Sequence, residues 1–532
     1  MSRLRPVAVA GFLLLPLLGG GFFLQERATR DGARLFDQVL SLVNDRFVDT
    51  VNTGMLYEKA ARGLVHELQD PYSELLTPKQ LTGFNTNTAG RYGGIGMQIE
   101  EQNALITVSK VFPNTPAERA GIREGDRIVG IDTTVVRGWK IRQVSDVLQG
   151  TPGSKVKVRF NRPGVAEPIA VEFTRAIIHI PAVPYSIAFD GKIGYVPISQ
   201  FSENVTEELG KELKRQSAAG VRGIILDLRG NPGGFLDQAL SVSNLFLPQG
   251  VEIASVRGRG AEPQTYMARG RPIVPETPLV ILTDGYSASA SEIVAGALQD
   301  HDRALILGTT SFGKGLVQTV FNLDGGYALK LTTAKWFTPS GRSIQKERTL
   351  LADGQFVGTH PDSLEADSVR RARPTYRSDA GRVVFGGGAI TPDIIVKPDT
   401  LTTAEQAVVR AIAPKSQEIY VALYDLAFGL KSQVKPDFTV LPEWREEFYR
   451  RVIASGAKVP KDQYDKSQRY VNRLLENRIA RLAFGDSAAK RRDIDDDVQL
   501  RAAIEILRRG GSQKDLFALA LAGKALSATR NQ

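Results

Sequence analysis

Three serines crowd into Ser287-Ala288-Ser289-Ala290-Ser291-Glu292, and 25 residues beyond Ser289 a lysine, Lys314, stands between glycines in Phe312-Gly313-Lys314-Gly315. A serine hydroxyl is a poor nucleophile until a base accepts its proton. The chain has four histidines, none in a setting that suggests a Ser-His-Asp triad. Lysine can be the base only when neutral, and a free pKa of about 10.4 leaves roughly one in a few thousand uncharged at pH 7. Desolvation lowers that pKa, because burial disfavours the charged form. Lys314 is flanked by Phe312 and Leu316, and the nearest acidic residues in sequence are Asp300, Asp302 and Asp324. Taken alone it reads as a solvated cation; beside the serine cluster it reads as a base.

A helix opening near Ser289 adds amides carrying partial positive charge, which suit a developing oxyanion. The Ala290 N–H is one candidate donor, and an amide of Gly233 or Gly234, in Arg229-Gly230-Asn231-Pro232-Gly233-Gly234, is the second. The competing account of Ser289-x-x-Glu292 is a capping box that merely satisfies helix-end amides. Gly308-x4-Gly313-Lys314 also fits most of a phosphate-binding P-loop, but Gly315 stands where a Ser or Thr should hold magnesium, and a strand is expected to follow instead of a helix. No His, Asp or Glu cluster has metal-ligand spacing, so no metal or other cofactor is expected. His301 would lie about 18 Å from Ser289 along a regular helix, too far to serve as its base.

The elements that must position these groups alternate between strand and helix over 176 to about 350, which predicts an α/β domain with a largely parallel sheet. Sites in such sheets collect in loops beyond the C-terminal strand ends, where both the Arg229–Gly234 turn and the serine cluster fall. From Tyr92 the apolar period is two, with short helices intervening. Ala120-Gly121-Ile122-Arg123-Glu124-Gly125-Asp126-Arg127-Ile128 is the most specific stretch of what resembles a PDZ domain. Such domains add a peptide to a sheet edge and hold its terminal carboxylate with backbone N–H groups. The matching loop is Gly94-Ile95-Gly96-Met97. Residues 31–90 and 401–532 read as helical. The expected division is thus 1–30, 31–90, 91–175, 176–400 and 401–532.

Composition is that of a globular protein, with 42% hydrophobic and 24% charged residues. A length of 532 residues calls for several cores. The net charge of +10 is spread along the chain without a basic block, so nucleic-acid binding is not expected. There are no cysteines, which removes disulfides, thiolate metal sites and thiol nucleophiles. Arg3 and Arg5 precede an uncharged apolar run from Val7 to Leu24, the pattern of a signal peptide or an uncleaved membrane anchor. Either would carry the rest of the chain across the cytoplasmic membrane into a periplasmic or other extracytoplasmic space.

Assembled, these parts resemble the C-terminal processing peptidases, also called tail-specific proteases. The resemblance runs from about residue 35 to about residue 400. It rests on Asp70-Pro71-Tyr72-Ser73, the PDZ pattern, Asp227 to Gly234, Ser287 to Glu292, Phe312 to Gly315 and Leu329-Lys330-Leu331-Thr332-Thr333-Ala334. It implies a crotonase-like α/β catalytic domain with an inserted α+β PDZ domain. It further implies Ser289 as nucleophile, Lys314 as general base, and Gln318 or Glu292 as the polar residue supporting the pair. The expected enzyme is a Ser-Lys serine endopeptidase that acts on proteins through their C-terminal tails by way of an acyl-enzyme. A PDZ scaffold with a dead catalytic core is the binding-only alternative, and an ATP-driven machine is disfavoured by the missing magnesium hydroxyl. The N-terminal segment and the extension after about residue 400 depart from the short members, leaving membrane contact, an activating adaptor or lipoprotein and homo-oligomerisation open.

Overall fold

A computed structural model describes residues 30–102, 105–162, 165–190, 192–260, 262–350, 356–358 and 372–529. The expected targeting segment, apart from Arg30, lies outside them. Among the described residues no helix is long and apolar enough to cross a membrane. The described residues fall into two compact units, those within 1–78 with 318–332, and those within 79–317 with 333–532.

In the first unit a helix spans 30–46 and a second spans Thr53–His66, capped by Asn52 Oδ1 accepting the Met55 N–H. Leu35, Phe36, Val39, Leu42 and Leu64 on these helices are exposed. The Asp70-Pro71-Tyr72-Ser73 motif is a turn in which Asp70 accepts the Ser73 hydroxyl at 2.6 Å. Ser73 Oγ in turn accepts the Thr332 N–H at 3.0 Å, beside the antiparallel pairing of Glu74–Leu76 with 328–330.

The second unit is built on a six-stranded sheet. Its strands, in spatial order, are β1 (Ile187–Phe189), β2 (Ile193–Pro197), β3 (Gly223–Asp227), β4 (Leu279–Thr283), β5 (Leu305–Gly308) and β6 (Ile394–Ile395). All neighbours except β1 and β2 are parallel. The runs Gly-Ile-Ile-Leu-Asp, Leu-Val-Ile-Leu-Thr and Leu-Ile-Leu-Gly are buried throughout, as parallel strands covered on both faces must be. Alternate side chains serve different cores. Ile224, Leu226, Ile281 and Ile306 pack with residues of helices α1 (Val205–Ala218), α2 (Leu236–Asn244) and α3 (Ala290–Asp300). Ile225, Val280, Leu282, Leu305 and Leu307 pack against Leu500, Ile504, Leu507 and Leu516, from helices α4 (Val498–Arg509) and α5 (Gln513–Thr529). The sequence division at 400/401 is therefore not a packing boundary. The last two helices complete the sheet domain, whereas the helices between Thr403 and Phe484 form a bundle around Leu423, Phe448, Leu475 and Ile479.

The segment expected to be PDZ-like has its own core, including Ile95, Met97, Ile106, Ile128, Val144, Val158 and Phe160. Its antiparallel sheet runs in the order 97–102, 105–111, 127–131, 155–161, 169–174, so Met97–Gln102 is an edge strand. Both chain ends of this domain pass through one antiparallel ribbon, Arg91–Gly94 paired with Ala176–His179.

Candidate active site

Strands β3, β4 and β5 end side by side at Asp227, Thr283 and Gly308, so the turns that follow them converge. The β4 turn is shaped by Asp284, whose Oδ1 accepts the N–H groups of Tyr286 and Ser287. Of the three clustered serines, two are committed to scaffolding. Ser287 Oγ donates to the Leu228 carbonyl at 2.8 Å, Ser291 Oγ donates to the Asn231 carbonyl at 3.0 Å, and both residues are essentially inaccessible, at 1% and 0% exposure. Ser289 is half-buried and adopts φ 55°, ψ −113°, a backbone conformation L-residues rarely take. Strain of this kind costs about 1–3 kcal/mol and persists only where the surroundings enforce it.

Glu292 supplies much of that enforcement. It is fully buried, and its carboxylate accepts four hydrogen bonds: Ser289 N–H at 2.8 Å, Lys314 N–H at 2.9 Å, Gly313 N–H at 2.7 Å and the Ser311 hydroxyl at 2.5 Å. Burial pushes the carboxyl above its ordinary value, although the Ser311 hydroxyl and the three amides pull the other way. The glutamate half of the capping box is thus formed, and the same side chain reaches across to the lysine turn. The amides of that turn, which suggested a P-loop, enclose the protein's own carboxylate, and the strand Leu316–Asn322 follows it instead of a helix. Lys314 is half-buried, its carbonyl accepting the Trp336 indole N–H at 3.1 Å. Gln318 belongs to the first unit, where its Nε2 donates to Thr332 Oγ1 at 3.3 Å. His301 closes the far end of α3, its ring nitrogens 2.7 Å from Asp379 and 2.6 Å from the Glu252 carbonyl.

The β3 turn closes over the serine. At Gly233, φ is 98° and a Cβ would lie 2.7 Å from the Ala288 carbonyl and 2.9 Å from Ser289 Cβ, so only glycine fits there. The Gly233 N–H donates to Asn231 Oδ1 at 2.9 Å. The N–H groups of Gly234 and Ala290 find no acceptor among the described residues. Sequence reasoning passed over Asn231, although it stands inside the turn it had singled out. Completely buried, Asn231 donates to the Ile198 carbonyl and accepts the Ala288 N–H on its own carbonyl, fixing the glycine turn against the serine turn.

A profile for Peptidase family S41 matches residues 192–362, and one for PDZ domains matches residues 107–162. Over 325 residues the chain is 40% identical to the carboxy-terminal-processing protease of Bartonella bacilliformis, covering 60% of this chain and 74% of that protein. Over 342 residues it is 34% identical to the carboxy-terminal processing protease CtpA of Bacillus subtilis, covering 64% and 73%. The chain belongs to the carboxy-terminal processing proteases of peptidase family S41. Among solved structures, a photosystem II D1 C-terminal processing protease is 29% identical over 68% of this chain and 87% of its own, with a TM-score of 0.36. Like its family, the chain is a serine-type peptidase that carries a PDZ domain.

In this carboxy-terminal processing protease the loop Gly94-Ile95-Gly96-Met97 is buried and leads into the edge strand. Gly96 sits at φ 89°, and a Cβ there would fall 2.2 Å from Thr115 Cβ. The N–H groups of Ile95 and Gly96 donate to nothing among the described residues, while the Ile95 carbonyl is taken by the Ala117 N–H. Beyond the strand ends lies a cavity of about 730 Å³, lined by Asp227, Arg229, Tyr286, Phe312 and Asp497 among others. Its floor is an ion network. Arg229 forks between Asp227 and Asp497, at 2.6 Å and 2.8 Å, and Lys490 pairs with Asp497 at 2.6 Å. Burial opposes the Arg229 charge, but the two carboxylates more than offset it and hold the guanidinium above its ordinary value. Asp497 is likewise opposed by burial, yet Arg229 and Lys490 hold it well below the usual carboxylate range.

Proposed function

We propose that this peptidase uses Ser289 as nucleophile and Lys314 as general base in a crotonase-like core, cutting proteins whose free C-termini are captured by the PDZ domain. The observation that carries this reading is the single Glu292 oxygen shared by the Ser289 and Lys314 amides, which brings together two turns 25 residues apart in the chain. Neutral Lys314 takes the proton from Ser289 Oγ as that oxygen attacks the scissile carbonyl. The N–H groups of Ala290 and Gly234 receive the oxyanion, and Gly233 supplies the room for close approach. The lysine returns its proton to the leaving amine, and the acyl-enzyme on Ser289 is released by water that the same amine activates. The unpartnered amides of Ile95 and Gly96 support capture of a terminal carboxylate, which leaves an extended tail to pair with the Met97–Gln102 edge.

Export across the cytoplasmic membrane through residues 1–30, with an adaptor or self-association governing access, belongs to the same proposal. It is motivated by the basic-then-apolar N-terminus and by the exposed apolar residues of the helix over 30–46. The test is cleavage of an unfolded protein by the full chain, Ser289→Ala and Lys314→Ala. Each variant should lose activity by about a hundredfold to ten-thousandfold. Equal cleavage by all three proteins would refute the pair, whereas tail binding with no cleavage by any would leave a scaffold.

A further inference from the structure

The C-terminal extension reaches the active-site turns at Arg229. Asp497 is the N-cap of α4, its carboxylate accepting the Leu500 N–H at 3.0 Å, and it is 9% exposed. Both of its oxygens also receive the Arg229 fork, Nη1 and Nη2 each at 2.8 Å. Arg229 begins the glycine turn. The next residue, Gly230, donates its N–H to Asp284, which shapes the Tyr286–Ser287 turn. The residue after that, Asn231, holds the Ala288 N–H and the Ser291 hydroxyl on its carbonyl. One side chain from the extension is thus linked, through Arg229 and the turn it begins, to the Ala288 N–H before Ser289 and the Ser291 hydroxyl after it.

We propose that Asp497 is a positioning residue for the reaction, acting through Arg229 to hold the glycine turn where the Gly234 N–H can meet the oxyanion. The proposal rests on the reading of Ser289 as nucleophile. A guanidinium shared by two carboxylates is fixed in plane and direction. With Asp497 neutral, the fork keeps Asp227 as its one charged partner and the Gln499 amide oxygen on Nη1 at 3.0 Å, and the main chain at 229–234 gains freedom to shift. A donor aimed at charge that appears only in the transition state contributes to kcat and not to ground-state binding. Displacing reacting groups by an ångström costs about a hundredfold. The extension accordingly does more than cover the second face of the sheet; it completes the catalytic geometry.

The experiment compares kcat, KM and thermal midpoint on one unfolded protein substrate for the full chain, Asp497→Asn, Asp497→Glu and Gln513→Ala. Gln513 ties the start of α5 to β4 through the Leu279 N–H at 2.8 Å, so its loss loosens the same helices without touching Arg229. Expected for Asp497→Asn is a fall in kcat of about tenfold to a hundredfold with KM kept within about threefold. Asp497→Glu should recover most of the loss, and Gln513→Ala should lower the midpoint while sparing kcat. A kcat for Asp497→Asn within about threefold of the parent, or losses that track the midpoints in all variants, would overturn the proposal. If Asp497→Asn does not fold, Arg229→Lys carries the same test, because an ammonium cannot bridge both carboxylates in one plane. Retention of cleavage by Ser289→Ala would instead defeat the reading on which the proposal rests, so the two failures are distinguishable.

Discussion

Glu292 and Lys314 are joined through the main chain: the carboxylate of one accepts the N–H of the other at 2.9 Å, using the oxygen that also takes the Ser289 N–H. The helix end, the strained serine and the lysine turn therefore share one buried anchor, and disturbing it should disturb all three.

Glu292→Gln is nearly isosteric but presents an NH₂ group to four hydrogen-bond donors. At least one buried N–H loses its acceptor, at about 1–3 kcal/mol. We expect a lowered thermal midpoint together with a kcat reduced by about tenfold or more, checked by calorimetry and steady-state cleavage. There is also a pH signature. Between the ordinary carboxylate range and the raised value of Glu292, the folded chain keeps a proton that the unfolded chain has released. Its stability therefore falls as pH climbs through that interval, and the Gln variant should lack this slope.

Gly233→Ala places a methyl group against Ser289 Cβ and forces an alanine to φ 98°. The turn must move away from Ser289. Cleavage should fall by about a hundredfold or more while tail-peptide affinity stays at the parent value; a variant with full kcat would place the oxyanion elsewhere.

Gly96→Ala strains the loop before the edge strand, since the new Cβ would meet Thr115. Here the expected loss is in capture of a free C-terminus, measured with a fluorescent tail peptide. The same peptide with an amidated C-terminus should bind weakly to the parent as well, because a neutral amide cannot replace the carboxylate.

If Lys314 is the base, the rate follows the fraction of neutral amine and rises with pH over the range where the protein stays folded. A kcat profile flat from about pH 6 to about pH 10 would exclude a catalytic lysine that titrates within that range.

Asp497 acts at the acid end. Its carboxyl is held well below the usual range, so its stabilisation is complete above the unfolded value of about 3.9 and is lost as pH falls from there towards the lowered one. The unfolding midpoint of Asp497→Asn should decline less steeply below about pH 4 than that of the parent.

Local patterns carried far when chemistry and geometry coincided. The isolated lysine between glycines, the crowded serines and the Asn-Pro-Gly-Gly turn each state a backbone requirement that few other roles impose. The strand cores were legible for a related reason: runs such as Leu279–Thr283 leave no polar face, so both sides had to be covered. What covers the second side was not legible, because the apolar stripe of Leu500, Ile504 and Leu507 would suit a free-standing bundle equally well. Glu292 in sequence suits either a helix cap or a support for the Ser289–Lys314 pair; in the fold one carboxylate caps the helix and also takes the amide of the lysine turn. Arg229 with Asp497 lay beyond sequence reasoning altogether, since an aspartate in Asp493-Ile494-Asp495-Asp496-Asp497 carries no mark of a partner 268 residues away.

The guest domain enters and leaves through neighbouring strands of a single ribbon, Arg91–Gly94 beside Ala176–His179. Its termini are therefore only a ladder's width apart, and a different tail reader could be spliced there without lengthening or shortening the host chain. The PDZ domain and the peptidase core can accordingly be exchanged as separate parts.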